Sequence, residues 1–174
     1  MRTNVVLTLT GRDRVGIVEE LTGSLLELDG NVETSRMARL GGEFAVLMLV
    51  SLPSEHLGRL DESFVALTDQ GYLVSVRPTD VAAAAAQPGW LSRQIEVRGA
   101  DHEGIVHEIA RSLARKGVNI EAMETSTTQA PISGTPLFMM TARIAVPPTL
   151  SNQNWEADLL EVARQLNVEL EVTA

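Results

Sequence analysis

Hydrophobic residues recur along this chain at two kinds of spacing, every second position in some segments and every third or fourth position in others. Val5, Leu7 and Leu9 alternate with less apolar positions, which predicts a strand with at least one buried face. The apolar residues after this strand are three and four positions apart, which predicts a helix with one stripe facing a core. They are Ile17, Val18, Leu21, Leu25 and Leu28. Gly30 is suited to end that helix.

The next segments predict two strands, a second helix and a fourth strand. Gly41 and Gly42 separate the strand-like runs 31–40 and 43–52, and a glycine pair favours a tight hairpin because both residues accept positive φ. Residues 44–50 are apolar at every position, so we expect this strand to be buried on both faces or to pair with a large surface. Apolar spacing then predicts a helix over 54–70 and a strand over 72–77.

The second half of the chain repeats this order. Five residues recur 88 positions later, and an asparagine recurs at the same spacing. The recurring residues are Gly11, Asp13, Gly16, Ile17, Val18 and Asn31, which return as Gly99, Asp101, Gly104, Ile105, Val106 and Asn119. Coincidences at one spacing indicate an internal duplication. The sequence therefore predicts an α+β chain of two β-α-β-β-α-β units in the ferredoxin-like arrangement, each an antiparallel sheet with helices on one face.

Three boundaries follow from the repeat. We predict a first domain over 1–79, a linker over 80–92, where an alanine run lies between prolines, and a second domain over 93–174. The second hairpin carries six more residues than the first, within 129–136, and we expect this longer loop to serve as a lid or a partner contact.

Composition and charge narrow the classes of function. The chain has 23 acidic and 14 basic residues, and neither half has the basic face that nucleic-acid binding requires. The absence of cysteine excludes thiolate catalysis and cysteine-based zinc sites. His56, His102 and His107 lack a spacing suited to shared metal coordination, so we predict no metal and no cofactor. No apolar run approaches the roughly 18 residues of a membrane helix, and we expect a cytoplasmic protein without a membrane partner.

The repeated strand-to-helix turn is the candidate ligand site. Backbone N–H groups at a helix N-terminus can hold a carboxylate, and Gly16 and Gly104 lack the Cβ that would keep a ligand away. The amide oxygens of Asn31 and Asn119 could accept hydrogen bonds from an ammonium group. The first copy contributes Gly11, Arg12, Asp13, Arg14, Val15, Gly16, Ile17 and Asn31, and the second contributes Asp101, His102, Gly104, Ile105 and Asn119.

Each of these residues also has a purely structural interpretation. Asp13 and Asp101 are suited to cap the helix N-termini through their side chains. Gly16 and Gly104 would then only allow close packing of helix against sheet, and the asparagines would only turn the chain. Arg12 and Arg14 would be solvated.

The turn 10–18, with its flanking strand and helix and with Asn31 opening the next strand, resembles the ACT domain, a regulatory module that binds amino acids. The tandem pair is similar to the glycine cleavage system transcriptional repressor family. Both turns depart from the usual Asp-Arg-Pro-Gly-Ile of the ACT domain, because Val15 replaces proline in the first and His102 and Glu103 replace Arg-Pro in the second. Glu103 adds negative charge, so the first turn is the better anion site.

The resemblance implies a non-enzymatic, amino-acid-binding regulator that acts through a protein partner, a LysR-type transcription factor. It also implies a homodimer, a pocket between two ACT domains and a small ligand such as glycine or serine. Two alternatives remain open. One is a ligand-free interaction module whose sheets join edge to edge through the apolar strand 44–50. The other is an acylphosphatase-like hydrolase that uses Arg12, Arg14 and Asn31.

Overall fold

The computed structural model describes residues 1–80, 88–130, 134–150 and 153–173. The chain divides into two compact units, Met1–Ala86 and Gln87–Ala174. Most of the predicted linker, residues 81–87, lies outside the described residues, as do residues 131–133 of the predicted long hairpin loop. Within the described ranges, no helix is both long and apolar enough to cross a bilayer.

The first unit has the predicted order of elements. Its strands are β1 (Arg2–Arg12), β2 (Asn31–Leu40), β3 (Glu43–Pro53) and β4 (Leu73–Thr79). Helix α1 (Ile17–Leu26) follows β1, whereas the second predicted helix is broken into a 3-10 helix (Ser54–Arg59), α2 (Leu60–Ser63) and α3 (Val65–Asp69). The strands form one antiparallel sheet in the order β2-β3-β1-β4, which is the ferredoxin-like topology.

The second unit repeats this topology. Its strands are β5 (Leu91–Ala100), β6 (Asn119–Gln129), β7 (Pro136–Val146) and β8 (Val168–Thr173). Its helices are α4 (Ile105–Arg115), a 3-10 helix (Pro148–Leu150) and α5 (Trp155–Gln165). The sheet order β6-β7-β5-β8 is equivalent to that of the first unit, as a duplication requires.

Each unit buries one face of its sheet under its helices. In the first unit Val5, Leu7 and Leu9 of β1 pack with Leu21 and Leu25 of α1, all at most 1% exposed. Strand 44–50 is not buried on both faces, because Leu47 on the other face is 50% exposed, and the alternative that it pairs with a large surface stays a prediction. Joining sheets edge to edge through this strand is also excluded, because β3 lies between β2 and β1.

The chain reversals are partly as predicted. Gly41 and Gly42 both have positive φ, 59° and 91°, and form the hairpin between β2 and β3. At the end of α1, however, the left-handed residue is Asp29, with φ 52°, and not Gly30. Glycine is needed at position 30 for another reason: a Cβ there would lie 2.8 Å from the Leu25 carbonyl oxygen. That oxygen accepts the Gly30 N–H at 2.8 Å.

Candidate ligand-binding turn

The first strand-to-helix turn is shorter than the repeated motif suggests. β1 continues through Gly11 and Arg12, so the turn itself comprises residues 13–16. Gly16 is the N-cap of α1 and has φ 92°, a conformation that side chains other than glycine adopt only with strain. The first helical bond joins the Glu20 N–H to the Gly16 carbonyl at 3.0 Å. The N–H groups of residues 17–19 therefore precede the helical ladder and point out of the helix N-terminus.

Neither aspartate caps its helix, so this prediction is wrong. The N-cap positions are Gly16 and Gly104, and neither cap has a side-chain hydrogen bond. Asp13 instead accepts from Arg39 Nε at 2.7 Å, and its N–H donates to the Gly42 carbonyl at 3.0 Å. Asp101 likewise donates its N–H to the Pro136 carbonyl at 2.9 Å. The aspartates therefore tie each turn to the neighbouring hairpin.

Close packing does not explain the two turn glycines either. A Cβ on Gly104 would have no neighbour within 4 Å, and one on Gly16 would meet only Arg14 Nη1, at 3.8 Å. Their shared property is a positive φ, 92° and 95°, and both are exposed. The apex is open because Val15 is fully exposed as well, whereas Ile17 and Ile105 are buried and anchor their helices to the cores.

Arg14 is held beside the turn by its own chain. Its Nη2 donates to the Glu20 carboxylate and, at 2.7 Å, to Gln70 Oε1, and its guanidinium lies 5.6 Å from the centroid of the Tyr72 ring. Gln70 Nε2 completes the group by donating to Glu20 Oε1 at 2.9 Å. Hydrogen bonds from Arg14 and then Gln70 lower the pKa of Glu20, and the bond to Glu20 raises the pKa of Arg14. The charge of Arg14 is thus balanced, while the Arg12 side chain is exposed.

Gly11 has a packing role that the repeated motif did not predict. A Cβ at this position would lie 2.4 Å from Tyr72 Cδ1, and the Tyr72 hydroxyl donates to the Arg12 carbonyl at 2.7 Å. The tyrosine thus crosses the strand over the glycine. Gln70 and Tyr72 were missed from sequence because they lie 56 and 60 positions from their partners Arg14 and Arg12. Glu20 lies only six positions from Arg14 and was missed because the helical pattern placed it on the solvent side of α1.

The second turn is fastened differently. His102 Nε2 lies 2.8 Å from the Leu166 carbonyl oxygen, and its Nδ1 lies 3.0 Å from the Glu103 carbonyl oxygen. Hydrogen bonds to these two carbonyls, that of Leu166 first, raise the pKa of His102. His102 therefore links the turn to the C-terminal end of α5, as Arg14 links the first turn to Gln70 after α3.

The structure does not bring the asparagines to the turns of their own units. Asn31 opens β2 and pairs in register with Ser51, which in turn pairs with Asn4, whereas the turn follows Arg12 at the other end of β1. Eight residues of strand correspond to about 26 Å. Asn31 donates to Glu33 Oε1 at 3.0 Å, and Asn119 opens β6 as an exposed residue. The Arg12, Arg14 and Asn31 trio of the hydrolase hypothesis therefore does not converge within the unit.

Among the residues described, no group of three or more histidine, aspartate or glutamate side chains is placed to hold a metal ion.

Comparison with known proteins identifies the fold family. Residues 3–74 match the family model of the ACT domain. The chain is 32% identical over 100 residues to the glycine cleavage system transcriptional repressor of Escherichia coli (strain K12), an alignment that covers 56% of this chain and 52% of that protein. The aligned part of the chain thus spans about half the length of this curated relative.

Two crystal structures align with nearly the whole chain. An unknown protein from Galdieria sulphuraria is 36% identical with a TM-score of 0.87, covering 99% of this chain and 98% of its own. A protein provisionally assigned as a glycine cleavage system transcriptional repressor is 20% identical with a TM-score of 0.70, covering 99% and 97%. At 20% identity the second comparison supports the fold alone. Residues 3–74 match the ACT domain, the second unit repeats the topology of the first, and the chain is therefore similar to tandem ACT-domain proteins and to the glycine cleavage system transcriptional repressors.

Proposed function

We propose that this protein is a non-enzymatic regulator that binds a small amino acid, glycine or serine, at the turn of its first unit. The observation that carries the proposal is the open apex of this turn, where Val15 and Gly16 are exposed directly before the N-terminus of α1. Because the chain is acidic, we place its regulatory output in contact with a protein, a LysR-type transcription factor, and not with nucleic acid.

The turn supplies what a carboxylate needs. The N–H groups of residues 17–19 are donors without partners in their own helix, and the helix dipole favours an anion by about 0.3–1 kcal/mol at an exposed site. Gly16 presents no Cβ to a ligand that approaches these donors. The exposed Arg12 adds a cation beside the turn.

Charge favours the first turn over the second. In the first turn, Asp13 is paired with Arg39 and Glu20 with Arg14, so these two carboxylates are balanced, while Glu19 in the first turn of α1 is exposed. In the second turn Asp101 and Glu103 flank His102, and both are exposed. A ligand carboxylate therefore meets more repulsion at the second turn.

The ammonium group of the ligand needs a different source of acceptors. Asn31 of the same unit lies about eight strand residues away, or about 26 Å. We therefore assign the ammonium to groups of an ACT domain other than the one that holds the carboxylate, as the resemblance implies. Ligand binding would then favour one arrangement of domains, and affinity for the partner protein would change reciprocally.

The first test is a thermal-shift screen against the twenty amino acids, followed by calorimetric titration of each amino acid that raises the melting temperature. A ligand at 100 times its Kd stabilises the native state by about 2.7 kcal/mol. A selective shift with glycine or serine is expected. If none of the twenty raises the melting temperature, the regulator proposal fails and the ligand-free interaction module replaces it.

A matched pair of variants locates the site. Gly16→Ala and Gly104→Ala introduce the same methyl group at nearly the same φ, 92° and 95°, so both lose a similar stability of about 1–2 kcal/mol. Only Gly16→Ala is expected to weaken glycine binding in calorimetry. Equal weakening by both variants, or by neither, would contradict the assignment to the first turn.

A further inference from the structure

The face of the first sheet that the helices leave uncovered is unusually apolar. Register places side chains from all four strands on this open face, because paired residues in an antiparallel ladder point to the same side. Its apolar members are Val6, Leu40, Leu47, Leu49 and Leu73. Leu40 is 78% exposed and Leu73 is 75% exposed, which is costly unless a partner covers them.

The same face is basic although the first unit is acidic. Its charged side chains are four arginines and two glutamates: Arg2, Arg12, Arg36, Arg77, Glu33 and Glu43. Arg36 and Arg77 lie beside the leucines, and both are exposed. A partner for this face therefore needs apolar groups together with carboxylates.

The corresponding open face of the second sheet has the opposite charge. Register puts two arginines, Arg98 and Arg143, on this face. It carries five glutamates: Glu96, Glu121, Glu124, Glu169 and Glu171. Met139, 43% exposed, supplies an apolar contact among them.

The two copies have diverged at these faces and not at their cores. Leu47 and Leu49 of β3 correspond in register to Thr141 and Arg143 of β7, and Leu73 of β4 corresponds to Glu169 of β8. The core position between them stays apolar in both copies, with Met48 and Ala142 both buried. Packing within each unit explains why the core positions are apolar in both copies, but it does not explain why the two open faces carry opposite charge.

We propose that two copies of this chain form a dimer in which the open face of each first unit packs against the open face of the partner's second unit. Pairing two first-unit faces would set arginines against arginines, whereas unlike faces bring arginines to glutamates. A two-fold axis makes two such contacts and leaves no complementary face free. Arg12 lies both on this face and beside the turn, but the test below leaves it unchanged, so failure of the dimer and failure of the amino-acid site are distinguishable.

The test uses the full chain and two charge-reversal variants. The first variant is Arg36→Glu/Arg77→Glu and the second is Glu169→Arg/Glu171→Arg. Arg59→Glu/Arg115→Glu is the matched control, because both of its residues are exposed and neither lies on a strand. Sedimentation velocity over a range of concentrations measures the dimer Kd of each protein and of mixtures, and circular dichroism confirms folding.

The expected result has three parts. The wild type and the control dimerise, each reversal variant alone has at least a tenfold higher Kd, and an equimolar mixture of the two variants dimerises again. The mixture regains affinity because, in a dimer of one variant with the other, the two charge-reversed faces pair with each other. The two unchanged faces also pair, so both contacts join opposite charges. A wild type that stays monomeric overturns the proposal, as would dimerisation that neither reversal variant weakens or a mixture that regains no affinity.

Discussion

Both ring nitrogens of His102 face carbonyl oxygens, those of Leu166 at 2.8 Å and Glu103 at 3.0 Å. A carbonyl oxygen only accepts, and a neutral imidazole has a single N–H, so both hydrogen bonds form together only in the imidazolium. The backbone bonds to Leu166 and Glu103 therefore raise the pKa of His102, and the nearby Glu103 and Asp101 carboxylates act in the same direction.

This geometry predicts a pH-dependent contribution to stability. Since the folded pKa lies above the unfolded value of about 6.5, protonation stabilises the fold fully below that value. The stabilisation is lost as the pH rises through the folded pKa. We expect the gap in unfolding free energy between wild type and His102→Gln to shrink from pH 5 to pH 9 in denaturant titrations. A constant gap, or an imidazole that titrates in NMR at or below about 6.5, would contradict this.

Residues at the turn also show where sequence interpretation succeeded and where it did not. The repeat singled out Gly16 and Gly104, and the structure gives both a positive φ, which is a different reason for glycine from the ligand access or close packing that the sequence suggested. The same pattern suggested aspartate caps. That inference failed because the N-cap of α1 is Gly16, three positions after Asp13, and Asp13 instead pairs with Arg39, which is distant in sequence and becomes a neighbour only through the β2–β3 hairpin.

At the scale of elements, the packing of Tyr72 against β1 requires glycine at position 11, which has no side chain. Tyr72 passes over Gly11, where a Cβ would lie 2.4 Å from Cδ1 of the ring, and the Tyr72 hydroxyl bond to the Arg12 carbonyl limits its retreat. The strand, the turn and the residues after α3 are therefore joined through one aromatic ring.

Gly11→Ala is predicted to destabilise the protein by about 1–3 kcal/mol through overpacking. Combining it with Tyr72→Leu should cost less than the sum of the two single changes, because the smaller side chain removes the clash. The matched control is Gly23→Ala in α1, where a Cβ has no neighbour within 4 Å and helix propensity predicts a gain of about 0.5–1 kcal/mol. Chemical denaturation measures all four; additive losses, or a stabilising Gly11→Ala, would refute the packing argument.

The second predicted helix of the first unit shows what the spacing of apolar residues can and cannot predict. Leu60, Phe64 and Leu67 are buried as their spacing predicted. The pattern did not show that the segment would break into a 3-10 helix and two short α-helices, because the same side chains reach the core from either geometry.

At the scale of the whole molecule, the buried apolar residues of the described part of the chain form two clusters with no member in common. Ile109 of α4 is fully buried in the second cluster, and Leu21 of α1 is fully buried in the first. Truncating a buried side chain in one cluster therefore first destabilises the unit that contains that cluster.

Ile109→Ala is predicted to cost about 2–5 kcal/mol through lost burial and the cavity that remains. Hydrogen exchange should show the loss of protection within residues 87–174, and Leu21→Ala should show the reverse pattern within residues 1–86. Equal loss of protection in both units from either variant would mean that the two cores unfold as one.

The sequence by itself determined the duplication, the α+β class, the order of strands and helices and the special place of the turn glycines. These features come from periodicity and backbone preference, which are local and repeat with the chain. Only the tertiary structure decided that Asn31 lies far from its own turn, that Arg14 is balanced by Glu20, and that the two open faces carry opposite charge. Those depend on strand register and on contacts between residues up to 60 positions apart, such as Tyr72 with Arg12, which no local pattern encodes.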